Sequence, residues 1–411
     1  LIHKQIPDFE STTVLCLVKA GSRYESEEQR GLAHFLEHMF FKGGEKYQNA
    51  KEVATAIDAI GGDFNAFTGK EYAGYYVKCA NEHLDTASDV LSDMLVRGQF
   101  KDSEIEKERG VIIEELNMYQ DTPMYQVGWN FENLVIGDQS LGWDTIGVRE
   151  TIMNFQHKDF VQYYQDLYQS SAIVIAICGG IDFEKAKNLV SNYFSDLNNK
   201  TPRNFPVLKD LKAQDPIHIQ EKKTEQAHFV LGGKSPAARQ DDSYAAKLLG
   251  VICGGMMSSR MFLNIREARG LCYYISTSTD EFKDTGLIST SAGVDLNRLL
   301  EAVEAVLAEY RKLRNELVNE DELNKAKNFL LGKMKLRLED SEDLAHFLGR
   351  QELLHDEILS PEEIAQKIKA ISAEDIQSMA QKVFAPENLH LAIIGPFAEQ
   401  KPTIQELLAQ A

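Results

Sequence analysis

The feature that most constrains this chain is an internal repeat. Residues Asp159 to Ile181 line up without a gap against Asp375 to Phe397, an offset of 216 positions in a chain of 411. In each copy a helical stretch leads into an apolar run, Ala172 to Cys178 in the first and Leu389 to Ile394 in the second, and then into a glycine. A helix-strand-turn unit repeated at half the chain length predicts two duplicated α+β domains, since each copy needs its own layer to bury its apolar face. We therefore expect a first domain over 1–197, a polar, proline-bearing linker over 198–215, and a second domain over 216–411. Strands are predicted at Val14 to Ala20, Ala73 to Cys79, His228 to Leu231 and Thr285 to Val294. Apolar residues at helical spacing predict packing helices from Leu299 to Tyr310 and from Asp321 to Met334. With 43% hydrophobic and 26% charged residues, the chain can bury two substantial cores.

Only the first half carries a chemical motif. Residues 34 to 38 read His34-Phe35-Leu36-Glu37-His38, within a run that begins at Gly31 and closes on Gly43 and Gly44. On a helix Glu37 lies about 60° to one side of His34 and His38 about 40° to the other, so the three side chains share a face. The two imidazoles can take a tetrahedral metal at about 2.0–2.1 Å while the glutamate remains free to accept a proton from bound water. The segment Ala345-His346-Phe347-Leu348 repeats Ala33-His34-Phe35-Leu36 but lacks the glutamate and second histidine, so His346 reads as structural. At the offset of the repeat, His34, Glu37 and His38 fall opposite Gly250, Cys253 and Gly254, and no second His-x-x-Glu-His occurs.

A zinc site built on two histidines needs a third ligand. The best source is the helical stretch Glu104 to Asp121, acidic at its start, with apolar Val111, Ile112, Ile113 and Leu116 along it and Thr122-Pro123 as a break. Glu108 and Glu115 lie two turns apart and point to one side, one able to bind metal and the other to hold a liganding histidine. From the pattern alone Glu114 and Glu115 are both candidates, and a solvated acidic face is the plain alternative.

The inverted motif is the inverzincin signature, and with the Glu108-Arg109-Gly110-Val111 to Glu115 segment the chain resembles the pitrilysin family, in particular its short branch of mitochondrial and bacterial processing peptidases. The resemblance implies His34, His38 and Glu115 as zinc ligands, Glu37 as general base and Glu108 as a supporting carboxylate. It also implies that Asn65 and Ala66, in the segment Asn65 to Tyr72, lie on an edge strand that receives peptide substrate by main-chain pairing. In the second half, Arg266 and Tyr273 match the family's pair that holds a substrate carbonyl and stabilises the oxyanion, with Tyr274 as local rival and Cys272 where glycine is common. The fold implied is a mostly antiparallel sheet packed with helices in each domain, the two domains forming half of a four-domain clamshell around a chamber. The activity implied is zinc-dependent endopeptidase action on peptides or unfolded, presequence-like segments. Because one chain carries both the zinc motif and the Arg/Tyr segment, a homodimer is expected, each protomer completing the other's site. A non-catalytic scaffold subunit and a peptidase that needs a separate partner chain are the competing readings.

The balance of 44 basic against 63 acidic residues, net −19, speaks against nucleic-acid binding. No apolar run is long enough for a membrane span. The five cysteines are odd in number, sit mostly in apolar runs and form no Cys-x-x-Cys pair, which points to buried thiols and a reducing, cytoplasmic setting. An upstream signal or transit segment removed before Leu1 is compatible with this reading.

Overall fold

A computed structural model describes residues 1–410 apart from 212, 214, 239 and 356. Its two five-stranded sheets have the same design. The first is ordered β1-β5-β2-β4-β3, from β1 (Ile2–Gln5), β2 (Ser11–Val18), β3 (Asp63–Thr68), β4 (Ala73–Ala80) and β5 (Ile173–Gly179). The second is ordered β6-β10-β7-β9-β8, from β6 (Ile217–Gln220), β7 (Gln226–Ser235), β8 (Cys272–Glu281), β9 (Gly286–Asp295) and β10 (His390–Ile394). In each, the first strand pairs parallel with the last and all other neighbours are antiparallel. The strands predicted at 14–20, 73–79, 228–231 and 285–294 are β2, β4, part of β7 and β9.

The repeat holds residue for residue. The helices His157–Leu167 and Ala373–Val383, and the short turns Ser170–Ala172 and Pro386–Asn388, are each 216 positions apart. The glycines that end β5 and β10, Gly179 and Gly395, share a positive φ of 147° and 153°. In both copies the carboxylate three residues on accepts the N–H of the residue before the helix, Gln156 N donating to Asp159 and Ser372 N to Asp375, each at 2.8 Å.

The compact units are not the contiguous stretches 1–197 and 216–411. One comprises Leu1–Met118, Trp143–Val207 and Lys335–Leu359, the other Tyr119–Gly142, Leu208–Met334 and Ser360–Ala411. Each sheet has two faces to cover, and in each unit one helix on the sheet comes from the other half of the chain. In the first unit the helix Ser341–Leu354 packs Leu344, Ala345 and Leu353 against Leu15, Leu17, Ala176 and Cys178. In the second, the helix Pro123–Ile136 packs Val127, Phe131 and Val135 against Val230, Ala392 and Ile394. The expected linker contains no helix or strand among its described residues; its positions 212 and 214 lie outside them. His346 sits on the first sheet against the rings of Phe67 and Tyr76, at 5.2 and 6.0 Å, which is a packing role. Of the five free cysteines, four are buried. Among the described residues no helix is long and apolar enough to cross a membrane.

Candidate metal centre

The motif lies on the helix Leu32–Phe40, whose Leu32, Phe35, Leu36, Met39 and Phe40 are fully buried. Phe35 meets Phe160 edge-on at 5.0 Å and Phe40 meets Tyr75 at 5.1 Å, so one face of the helix is locked into the core and the other presents His34, Glu37 and His38. Its N-terminus is capped from a distance. The two carboxylate oxygens of Glu25, a residue only 2% exposed, accept the N–H groups of Gly31 (3.0 Å) and Ala33 (2.7 Å). Acceptor oxygens at this end of a helix satisfy its orphan N–H donors.

The helix Asp102–Asp121 supplies the carboxylates. Glu115 stands with one oxygen 3.7 Å from His34 Nε2 and the other 3.7 Å from His38 Nε2. These separations are too long for hydrogen bonds and close to the ligand-to-ligand spacing around a tetrahedral ion with bonds of about 2.0–2.1 Å. One ligand atom from each of His34, His38 and Glu115 lies within 4.8 Å of the others, and no other such group occurs among the described residues. Glu114, the next residue back, is exposed and not part of this group.

The surroundings orient the donors. Glu108, two turns before Glu115, holds His38 Nδ1 at 2.9 Å and is itself gripped by Lys42 Nζ at 2.6 Å. That bond places the His38 proton on Nδ1 and frees Nε2 as a ligand. Burial pushes the Glu108 carboxyl up, but the bonds from His38 and Lys42 outweigh it and hold it below the usual carboxylate range. Burial, with His38 alongside, pulls His34 down to about 3, so its ring is neutral as a ligand must be. Its Nδ1 is buried with no hydrogen-bond partner. Glu37 accepts a hydrogen bond from Thr68 Oγ1 at 2.5 Å, and burial raises its carboxyl despite that bond. The donor set, two neutral imidazoles and a carboxylate with no thiolate, suits zinc.

Asn65 and Ala66 lie on β3, the edge of the first sheet, paired on one side only with Tyr76 and Tyr75. In the second unit, Arg266 occupies a π-helical turn, Phe262–Glu267, and its Nε donates to the Tyr273 carbonyl at 3.1 Å. The pairing of β8 with β9 shifts register between Cys272 and Tyr274, and this bulge turns Tyr273 outward, 80% exposed. Tyr274 points the other way, its hydroxyl 3.1 Å from His228 Nδ1, which makes it a packing residue. Thr68, Lys42 and Glu25 join the site from outside the motif. Lys42 stands one turn beyond His38 on the same face, a usable signal, whereas nothing in the local pattern marks Thr68 or Glu25.

Residues 2–137 match the sequence model described as "Insulinase (Peptidase family M16)" and residues 154–330 the one described as "Peptidase M16 inactive domain". A protein of Bacillus subtilis named "Uncharacterized zinc protease YmxG" is 33% identical over 96% of both chains. A counterpart in Streptomyces coelicolor, also named an uncharacterized zinc protease, is 30% identical over 98% of this chain and 88% of its own. Among solved structures, a Helicobacter pylori protease superposes with a TM-score of 0.89 over 96% of both chains at 21% identity, a likeness of fold.

Proposed function

Because the chain belongs to the insulinase, or pitrilysin, family of peptidases (M16), we propose that it is a zinc-dependent endopeptidase in which Glu37 is the general base. The observation that carries this is the convergence of His34 Nε2, His38 Nε2 and both oxygens of Glu115 on one point, with Glu37 beside it. His34, His38 and Glu115 would hold the ion, which when bound supplies a Lewis acid and lowers the pKa of a water. Glu37 uses Oε1, the oxygen not engaged by Thr68, to take a proton from the attacking water and return it to the leaving amine. Glu108 keeps His38 in the liganding tautomer. A peptide pairs with the open edge of β3 beside Asn65 and Ala66, which selects extended or unfolded segments.

Arg266 and Tyr273 act on the substrate bound to another protomer, the guanidinium holding a carbonyl and the phenol donating to the oxyanion. The outward turn of Tyr273 supports this, since a side chain with no packing role is exposed by a bulge. Two chains then form a homodimer whose four domains enclose a chamber. Mixing a Glu37→Gln chain with a Tyr273→Phe chain tests the arrangement: activity above either parent is expected, and mixed dimers no better than the parents overturn it. The metal reading is tested by cleavage of unfolded peptides, which should require zinc and vanish in Glu115→Gln.

A further inference from the structure

Thr68 is the donor that meets Glu37, and how the chain holds it is specific. Thr68 ends β3, where it pairs with Ala73 across the β3–β4 hairpin. The turn that follows is tied to residues 21–25. Ser22 N donates to the Gly69 carbonyl at 3.3 Å, Arg23 N donates to the Lys70 carbonyl at 2.9 Å, and the Arg23 side chain forms a buried ion pair with Glu71. The approach is so close that a Cβ on Gly21, at φ 147°, would stand 2.5 Å from both the Gly69 and Lys70 carbonyl oxygens. Only glycine fits there. At its other end the same short segment carries Glu25, which caps the helix bearing Glu37. One rigid clip, Gly21 to Glu25, thus ties the strand that carries the hydroxyl to the helix that carries the carboxylate.

We propose that Thr68 is a positioning residue for the general base, its hydroxyl fixing the plane of the Glu37 carboxylate by occupying Oε2 so that Oε1 alone faces the reacting water. This rests on the peptidase reading above. A carboxylate with no fixed partner rotates about its last torsion, and a misaligned base loses rate without losing substrate. Because β3 is also the open edge of the sheet, the strand that would receive the peptide is the one that aims the base. Peptide register and base orientation are then set by one piece of backbone.

The test compares Thr68→Val and Thr68→Ser in the full, zinc-loaded protein, with Glu37→Gln as reference, reading kcat, KM, bound zinc and Tm. Valine keeps the shape and removes the hydroxyl. Thr68→Val should lower kcat by about 10- to 100-fold with KM within about twofold and zinc content unchanged, and Thr68→Ser should recover most of the rate. A Thr68→Val enzyme with wild-type kcat, or one whose zinc content falls in step with its rate, overturns the proposal. Failure of the underlying reading looks different: Glu37→Gln itself would remain active.

Discussion

The two units share a strand order, a pairing pattern and one helix repeated residue for residue, yet among the described residues only one has a cluster of metal-binding groups. The contrast lies in what packs against the edge strand. In the first unit the motif helix meets β3 through the Thr68–Glu37 bond, and its two imidazoles face Glu115 on the helix Asp102–Asp121. In the second, the π-helical turn Val251–Gly255 presses onto β8, where a Cβ on Gly254 would meet Thr277 Oγ1 at 2.3 Å. Cys253, at the offset of Glu37, bonds to Thr277 instead, and Thr277, Thr290 and Tyr310 form a buried hydroxyl chain with contacts of 2.7 Å. A threonine from the edge strand meets the equivalent helix position in both units. In one it aims a carboxylate and in the other it seals a core. The same scaffold becomes a site or a packing layer according to whether bulky donors or glycines face the edge strand.

The sharpest way to break this contrast is to remove the base. Glu37→Gln should cut peptide cleavage by about 10²- to 10⁴-fold while zinc remains bound, so an enzyme of undiminished rate would place the chemistry elsewhere. Next is the support of His38: Glu108→Gln should weaken zinc affinity by about 10- to 100-fold, read by competition with a chelator, with Tm of the metal-free protein little changed. In the second unit, Gly254→Ala should destabilise the fold by about 1–3 kcal/mol through overpacking against β8, measured by denaturant unfolding. A neutral result there would mean the turn has more room than its geometry implies. Of the adjacent tyrosines, Tyr274→Phe should cost about 1 kcal/mol through its lost bond to His228, whereas Tyr273→Phe should leave stability untouched.

The smallest effect concerns pH. Burial raises the Glu25 carboxyl to about 8 from its ordinary 4.5, with the N–H bonds of Ala33 and Gly31 pulling the other way. Between those values the folded chain keeps a proton that the unfolded chain releases, so this group makes stability fall as pH rises through that window. Glu25→Gln should therefore flatten the pH dependence of the unfolding midpoint between about pH 5 and 8; an unchanged slope would show that Glu25 does not titrate there.

Much of this was legible in the residues. The repeat carried the duplicated architecture because identical helix-strand-turn units must repeat their caps and glycine turns, as at Gly179 and Gly395. The motif and the two-turn spacing of Glu108 and Glu115 are helical regularities, and the structure places His34, His38 and Glu115 within reach of one another with Glu108 on His38. The choice of Glu115 over Glu114 came from resemblance, since two adjacent glutamates on one helix differ only in which way the helix is rotated. The exchanged helices Pro123–Ile136 and Ser341–Leu354 were not legible, because an amphipathic period says that a face is buried and not which sheet buries it. Thr68 and Glu25 act across 31 and 8 positions through single hydrogen bonds, which leave no periodic trace.

The central claim is that His34, His38 and Glu115 of the first unit grip one divalent ion. Elemental analysis of the wild type beside Glu115→Gln and Glu114→Gln tests it most directly. The account predicts about one zinc per chain in the wild type and in Glu114→Gln, with loss in Glu115→Gln. Zinc retained in Glu115→Gln, or lost in Glu114→Gln instead, would contradict it.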